Sequence, residues 1–355
     1  MLRWVLLAAL AIMALAIWVA MGYAEWLEQV YASRFFPMLA SWQRRFFGSL
    51  PFSLGDLLYS AAGIYLLWQL VVFVRALMQK TKDAASVFRP LLNIFSLLLF
   101  CWVYFYLCWG MNYYRLGVAY QLQIEKDSVS REALLSLNRL LVARVNDAKQ
   151  RCIASGDTLL QEARIKTSAL AAYRSAEKRF SFLKYRYPSI KPSLFGTVGN
   201  YVGFLGYYNP FTGEAQLNVK GPQVVQPFVA CHEIAHQLGY ASESEANFVA
   251  FLVGAGSDDA SLQYATYLDM FMYAAGNLQV ADSTAASKIV ETLHPAVRAD
   301  LRSYRDFYRR HRIFLTEWVD WFYDWYLRAN RQEEGLSSYS EVVTWLIAYD
   351  RKYGL

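Results

Sequence analysis

Histidine is scarce in this chain, at 4 of 355 residues, cysteine is equally scarce at 4, and charged residues make up only 18%. Each shortage excludes something. Four cysteines, with Cys101 and Cys108 inside an apolar run, cannot build the dense disulfide framework of a small secreted fold. Cys152 and Cys231 form one candidate pair, and spacing alone does not decide whether they join. The net charge of +6 comes from basic residues scattered among acids, which speaks against a nucleic-acid partner. No internal repeat or low-complexity tract occurs.

Apolar residues occupy the space that charge leaves. Hydrophobic residues reach 56%, more than a soluble domain carries, so part of the chain is expected in lipid. Residues 4–23 are uncharged after Arg3, residues 57–74 end at Arg75, and residues 91–114 lie between Arg89 and Arg115. Each is long enough to cross about 30 Å of hydrocarbon as a helix. Trp109, Tyr113 and Tyr114 suit an interfacial aromatic belt. "MGYAEW" loosely fits a processing site, but the first run exceeds the apolar core of a signal peptide, which favours a retained anchor. Gly63 and Gln69 interrupt the second run without a charge.

Loop charges orient these spans. The second connection carries Arg75, Lys80, Lys82 and Arg89 against Asp83, whereas the stretch from Ala24 to Gly55 balances Glu25 and Glu28 against Arg34, Arg44 and Arg45. By the positive-inside rule the N-terminus and the second connection face the cytoplasm, and everything after Arg115 lies outside. The expected organisation is a membrane region over residues 1–115 and an extracytoplasmic domain over residues 116–355.

That domain reads as mainly helical. Ser130 is a plausible N-cap for an amphipathic helix whose apolar stripe includes Leu134, Leu137, Leu141 and Val145, and a second helix is expected from Asp157 to about Leu183. The prolines of "KYRYPSIKPS" then break helicity. Turn chemistry in "NPFTG" predicts a β-hairpin of about Gly203 to Tyr208 and Glu214 to Val219, the only convincing strand region. From Pro227 the pattern is again helical.

The chemistry concentrates in "CHEIAHQLGYASESEANF", Cys231 to Phe248, which holds two of the four histidines. His232 and His236 are four apart, so on a helix both imidazoles project from one face and can share one ion, with Zn²⁺ the natural candidate. Glu233 lies about 100° further round and can take a proton from water made acidic by the metal. A catalytic zinc needs a third protein ligand. Gly239 can end the helix in a left-handed conformation, and Ser242 with Glu245 has the form of a capping box that starts another. Glu243, in that helix's first turn, then faces back toward the histidines, and Asn247 one turn on can orient a ligand. Glu243 is preferred as the third ligand, with Glu245 as the alternative.

"HEIAH" followed by "ESEAN" resembles the gluzincin metallopeptidases, in which HExxH precedes a helix bearing ExxAD or ExxAN. The resemblance maps the metal-binding glutamate onto Glu243 and the small and polar positions onto Ala246 and Asn247. More closely, the chain resembles a bacterial family of multi-span membrane proteins, the domain of unknown function 3810. The similarity rests on "WGMNYYR", "YYNPFTGEAQLN", the motif itself and "YLRANRQEEGLSSYSEVV". It implies a zinc metallopeptidase anchored in the bacterial cytoplasmic (inner) membrane as a multi-pass protein, with a zincin-like α+β domain after the N-terminal transmembrane helices. The resemblance implies no known substrate; it is the placement outside the cytoplasm that makes peptides or proteins at the cell envelope the expected substrates, with the bilayer as a partner.

In metallopeptidases of this type an edge strand near the site pairs with extended substrate. Glu214, Gln216 and Asn218 would then contact it, or the hairpin merely covers the helix. Tyr207, Tyr208, Tyr240, Tyr264 and His294 are conceivable oxyanion donors, with His294 better read as a local hydrogen-bonding residue. His311 is expected to be solvated, and "WVDWFYDWYL" from Trp318 to face core or membrane. A second reading is a noncatalytic envelope protein in which zinc ties two helices together, closed by Cys231 or Glu245 as fourth ligand.

Overall fold

The computed structural model describes residues 2–78, 84–125, 129–156, 162–330, 332 and 341–355. Helices over Leu2–Ala20, Leu54–Met78 and Ala84–Cys108 are each long and apolar enough to cross a membrane. The third packs against both of the others. Polar groups within them face one another: Arg3 donates to Asn93 Oδ1 at 2.9 Å, and the Asn93 amide donates to Gln69 Oε1 at 3.2 Å. Gln69 is therefore tolerated in an apolar run because its amide is satisfied by a neighbouring helix. The loop residues Lys80, Lys82 and Asp83 lie outside the described residues.

The third span stops at Cys108, six residues short of the expected Tyr114. Residues Gly110–Tyr114 form a 3₁₀ turn tucked into the protein, because Trp109 and Asn112 find buried partners there. The Trp109 indole donates to the His236 carbonyl at 3.1 Å, and the Asn112 amide donates to the Trp109 carbonyl at 2.8 Å. Trp109 and Tyr113 are thus part of the site's surroundings and not of a lipid belt.

A division of the chain at residue 115 is also crossed by contacts. The stretch Ala24–Phe47, helical with a π-helical section over Leu27–Phe35, packs onto the body formed by the later residues. Glu28 forms a buried ion pair with Arg115 at 2.7 Å and accepts the Gly117 backbone N–H. Burial would raise its carboxyl, but these partners hold it below the ordinary carboxylate range.

Ser130 caps the helix Arg131–Ala154 by accepting the Ala133 N–H at 3.1 Å. The expected start of the next helix at Asp157 lies outside the described residues, and its end falls at Arg179, before a 3₁₀ turn over Ser181–Leu183. The hairpin forms as β2 (Gly206–Asn209) and β3 (Glu214–Leu217), with Tyr207 opposite Gln216. Sequence reasoning missed β1 (Ile190–Pro192), which pairs parallel to β3 and makes the sheet order β1-β3-β2.

This order corrects the expectation for Glu214, Gln216 and Asn218. β3 is the central strand, paired on both edges, and all three side chains are fully buried. Glu214 accepts the Leu54 and Gly55 N–H groups at 3.3 and 2.7 Å, so it caps the N-terminus of the second span. It also pairs with buried Lys191. The Gln216 amide meets the Ser53 hydroxyl at 2.6 Å, and Asn218 donates to Asn200 Oδ1 at 2.8 Å. Glu214 and Gln216 thus fasten the sheet to the start of the second apolar helix, while Asn218 ties it to the short helix Gly196–Val202.

Among the described residues two apolar cores result. The larger gathers the long helices after residue 130, including Ala260–Ala281, around the helices that carry the motif. The smaller lies where the apolar helices meet the body and contains Leu27, Tyr31, Phe36, Trp109 and Tyr208. Cys152 and Cys231 are separate buried thiols, not a disulfide. Glu214→Gln should destabilise the protein by about 3 kcal/mol, since it leaves the Lys191 charge buried without its partner. Thermal unfolding in detergent would measure this; an unchanged melting temperature would refute the fastening role.

Candidate metal centre

The histidine helix spans Gln226–Gln237, with Pro227 in its first turn where a missing N–H is harmless. Its end is firmly held. Gly239 takes φ +89°, and the Tyr240 N–H bonds the Ala235 carbonyl at 3.1 Å, as in a Schellman-type ending. A Cβ on Gly239 would come within 2.7 Å of the Phe36 ring, so glycine is required twice over. Arg44 donates to the Gln237 carbonyl at 2.9 Å and Arg115 to the Gly239 carbonyl at 3.3 Å, putting two cations at the negative end of the helix dipole.

The following helix spans Glu243–Ala255. The expected capping box does not form. The Ser242 hydroxyl pairs with the Ser244 hydroxyl at 2.9 Å, and the Glu243 N–H is taken by Gln332 Oε1 at 3.2 Å. Glu245 points away, accepting the Val118 N–H at 2.8 Å against Gly117, so it neither caps its own helix nor approaches the histidines.

Glu243 does approach them. Its Oε2 lies 3.2 Å from His232 Nε2 and 3.7 Å from His236 Nε2, and the three ligating atoms fall within 4.8 Å of one another. Two donors about 2.1 Å from a tetrahedral ion are separated by about 3.4 Å, a value that the two distances from Glu243 bracket. The His236 Nδ1 sits 2.7 Å from the Tyr240 carbonyl, which fixes the tautomer that presents the Nε2 lone pair. Tyr323, from the helix Phe314–Ala329, donates to Glu243 Oε1 at 2.7 Å and leaves Oε2 turned to the imidazoles. Among the described residues no fourth histidine, cysteine or acid joins the group.

Electrostatics bind the cluster together. Burial would raise Glu243, but the imidazoles of His236 and His232 hold it well below the usual carboxylate range. Burial opposes the charge on His232 as well, yet Glu243 raises it to about 9. Glu233 is pushed up to about 7 by burial, against the pull of both imidazoles. Its Oε2 is buried with no hydrogen-bond partner among the described residues. Gly206 of β2 permits its position, since a Cβ there would fall 2.5 Å from Glu233 Oε1.

Asn247 lies beside His232 and donates to the Tyr273 hydroxyl at 3.3 Å. Sequence reasoning missed Asp269, a buried acid within electrostatic reach of His232 and raised to about 7 by burial. It lies on another helix, and no local pattern marks it.

A cavity of about 850 Å³ opens over the cluster, walled by aromatic residues that include Tyr59, Phe105, Trp109, Tyr304 and Tyr323. The oxyanion candidates fare unevenly. Tyr207 and Tyr208 line this cavity, but the Tyr207 hydroxyl is engaged by Asp56. Tyr240 and Tyr264 turn to Gln121 and Asp300, and His294 caps its own helix. His311 is not solvated as expected; it is half-buried against Phe307 and Tyr201.

Fold and site together define a mainly helical chain with, among the described residues, three apolar helices able to cross a membrane and a His-His-Glu cluster on paired helices. Residues 31–347 match the family described as Protein of unknown function (DUF3810), and the chain belongs to that family. No curated protein and no solved structure matches it.

Separate substitutions resolve the two acids. His232→Ala, His236→Ala and Glu243→Ala should each abolish stoichiometric zinc uptake, while Glu245→Gln keeps it. Asp269→Asn should weaken uptake, since it removes a buried acid within electrostatic reach of His232. Metal analysis after dialysis against buffered zinc measures all five, and loss of zinc in Glu245→Gln alone would reverse the assignment.

Proposed function

We propose that this protein is a membrane-anchored zinc-dependent peptidase in which His232, His236 and Glu243 hold the ion and Glu233 is the general base. The observation that carries the reading is the convergence of three ligating atoms beside a buried carboxylate in an open cavity. A structural zinc site is normally closed by four protein ligands. The competing reading, a noncatalytic envelope protein with a zinc tie, needs such a fourth group. Cys231 is buried in the larger core and Glu245 is engaged by Val118, so neither serves it.

A zinc ion held by this cluster supplies a Lewis acid that polarises an amide carbonyl and makes water acidic near neutral pH. The rest is the work of the chain. Glu233 accepts the proton of the attacking water as the new C–O bond forms at the carbonyl carbon. It then delivers that proton to the amide nitrogen as the C–N bond breaks.

Extended substrate would pair with β2, not with the buried β3. β2 is an edge strand, and Gly206, Tyr207 and Tyr208 line the cavity. We assign the body to the outer side of the bacterial cytoplasmic membrane from the loop charges, where peptides or proteins of the cell envelope are the substrate class.

Glu233→Gln should retain zinc and lose hydrolysis of a mixed peptide library by about 10²- to 10⁴-fold. Purified protein in detergent, with metal content and cleavage measured on the same sample, makes the comparison. Undiminished cleavage would remove Glu233 from the mechanism, and no cleavage by either protein would favour the zinc tie.

A further inference from the structure

The helix Phe314–Ala329 has three faces. At about 100° per residue, Phe314, Trp318, Trp321, Phe322 and Trp325 share one sector. Glu317, Asp324 and Arg328 fall in the next, and Val319, Tyr323 and Tyr326 in the third. The third sector faces the protein and lines the cavity. The first is open: Trp318, Trp321, Phe322 and Trp325 are 67%, 65%, 57% and 56% exposed. A helix between protein and water shows one polar outer face. Here the outer surface is divided into an aromatic half and a charged half, the pattern of a helix lying where hydrocarbon meets water.

Its position in the fold agrees with that pattern. At the C-terminal end, Tyr106 in the last turns of the third span donates to Asn330 Oδ1 at 2.9 Å, and Tyr113 meets Tyr326 at 3.2 Å. At the N-terminal end, Thr316 donates to the Tyr201 carbonyl at 3.0 Å in the short helix Gly196–Val202. The Leu194 N–H just before that helix donates to Asp56, in the first turn of the second span, at 2.8 Å. Leu194, Val198 and Tyr201 are themselves exposed. The helix thus bridges the end of the third span and, through the short helix Gly196–Val202, the start of the second. Tryptophan is the side chain enriched at that depth of a bilayer.

We propose that Phe314–Ala329 is an in-plane membrane helix, with its aromatic face seated in the lipid interface and its opposite face walling the cavity. The occupant of the aromatic face is phospholipid, and the cavity opens at the bilayer surface. This placement holds whether or not the site binds zinc or cleaves peptides.

Photocrosslinking in proteoliposomes tests it on the full chain. A benzophenone side chain is introduced singly at Trp318, Trp321 or Trp325, with Phe95, exposed on the third span, as the lipid control and exposed Arg309 as the aqueous control. After irradiation, mass spectrometry should find phospholipid adducts at the three helix positions as it does at Phe95, and none at Arg309. Absence of lipid adducts at all three, with Phe95 labelled, would overturn the proposal. Chain-to-chain adducts in their place would also overturn it, by assigning the face to a second copy. The readout involves neither metal nor hydrolysis, so its failure is distinct from failure of the peptidase reading.

Discussion

Between His236 and Glu243 the chain must reverse direction completely, and the whole site depends on that reversal. Two imidazoles on one helix face are a common accident of sequence; a carboxylate returned to within 3.2 and 3.7 Å of them is not. Gly239 makes the turn sterically accessible, and buried groups from distant segments keep it closed. Trp109, Arg44 and Arg115 each donate to a carbonyl in the last turn of the histidine helix, at His236, Gln237 and Gly239. The His236 carbonyl also takes the Gly239 N–H at 3.0 Å, whereas those of Gln237 and Gly239 lie past the last helical bond and depend on the arginines.

All three donors come from segments next to the apolar helices. The cluster is therefore assembled jointly by the body and by residues that adjoin the second and third spans. The sheet repeats the arrangement, since Glu214 on its central strand caps the second span and pairs with Lys191. Gly206 on the edge strand admits Glu233. Displacement of the apolar helices would thus disturb the histidine helix directly, through hydrogen bonds that can be named. The small core containing Tyr208 and Trp109 fills the space between.

Much of this is legible in the sequence where a local rule governs it. Uncharged length identifies the three apolar helices, the i, i+4 histidines identify a common face, and a single glycine marks the reversal. The ambiguity between Glu243 and Glu245 is decided by Val118 and Gly117, more than a hundred residues away, which draw Glu245 off. β1 is three residues long and pairs parallel to β3, so neither periodicity nor a hairpin turn announces it. Once it is present, β3 becomes central, and the residues that would contact substrate are buried instead. Tyr323 was hidden by its setting, since three tryptophans in the same helix dominate the pattern. Only the offset of Tyr323 and Tyr326 from Trp318, Trp321 and Trp325 around the helix marks a second, inward face.

The central claim is that one ion sits between two imidazoles and one carboxylate with a coordination position left over. X-ray absorption at the zinc edge, on the full chain reconstituted with zinc, tests it most directly. The account predicts two imidazoles and two further light-atom neighbours at about 2.0–2.1 Å, with no sulfur. A sulfur neighbour at about 2.3 Å, which would bring in a cysteine, or a protein that retains no zinc would contradict it.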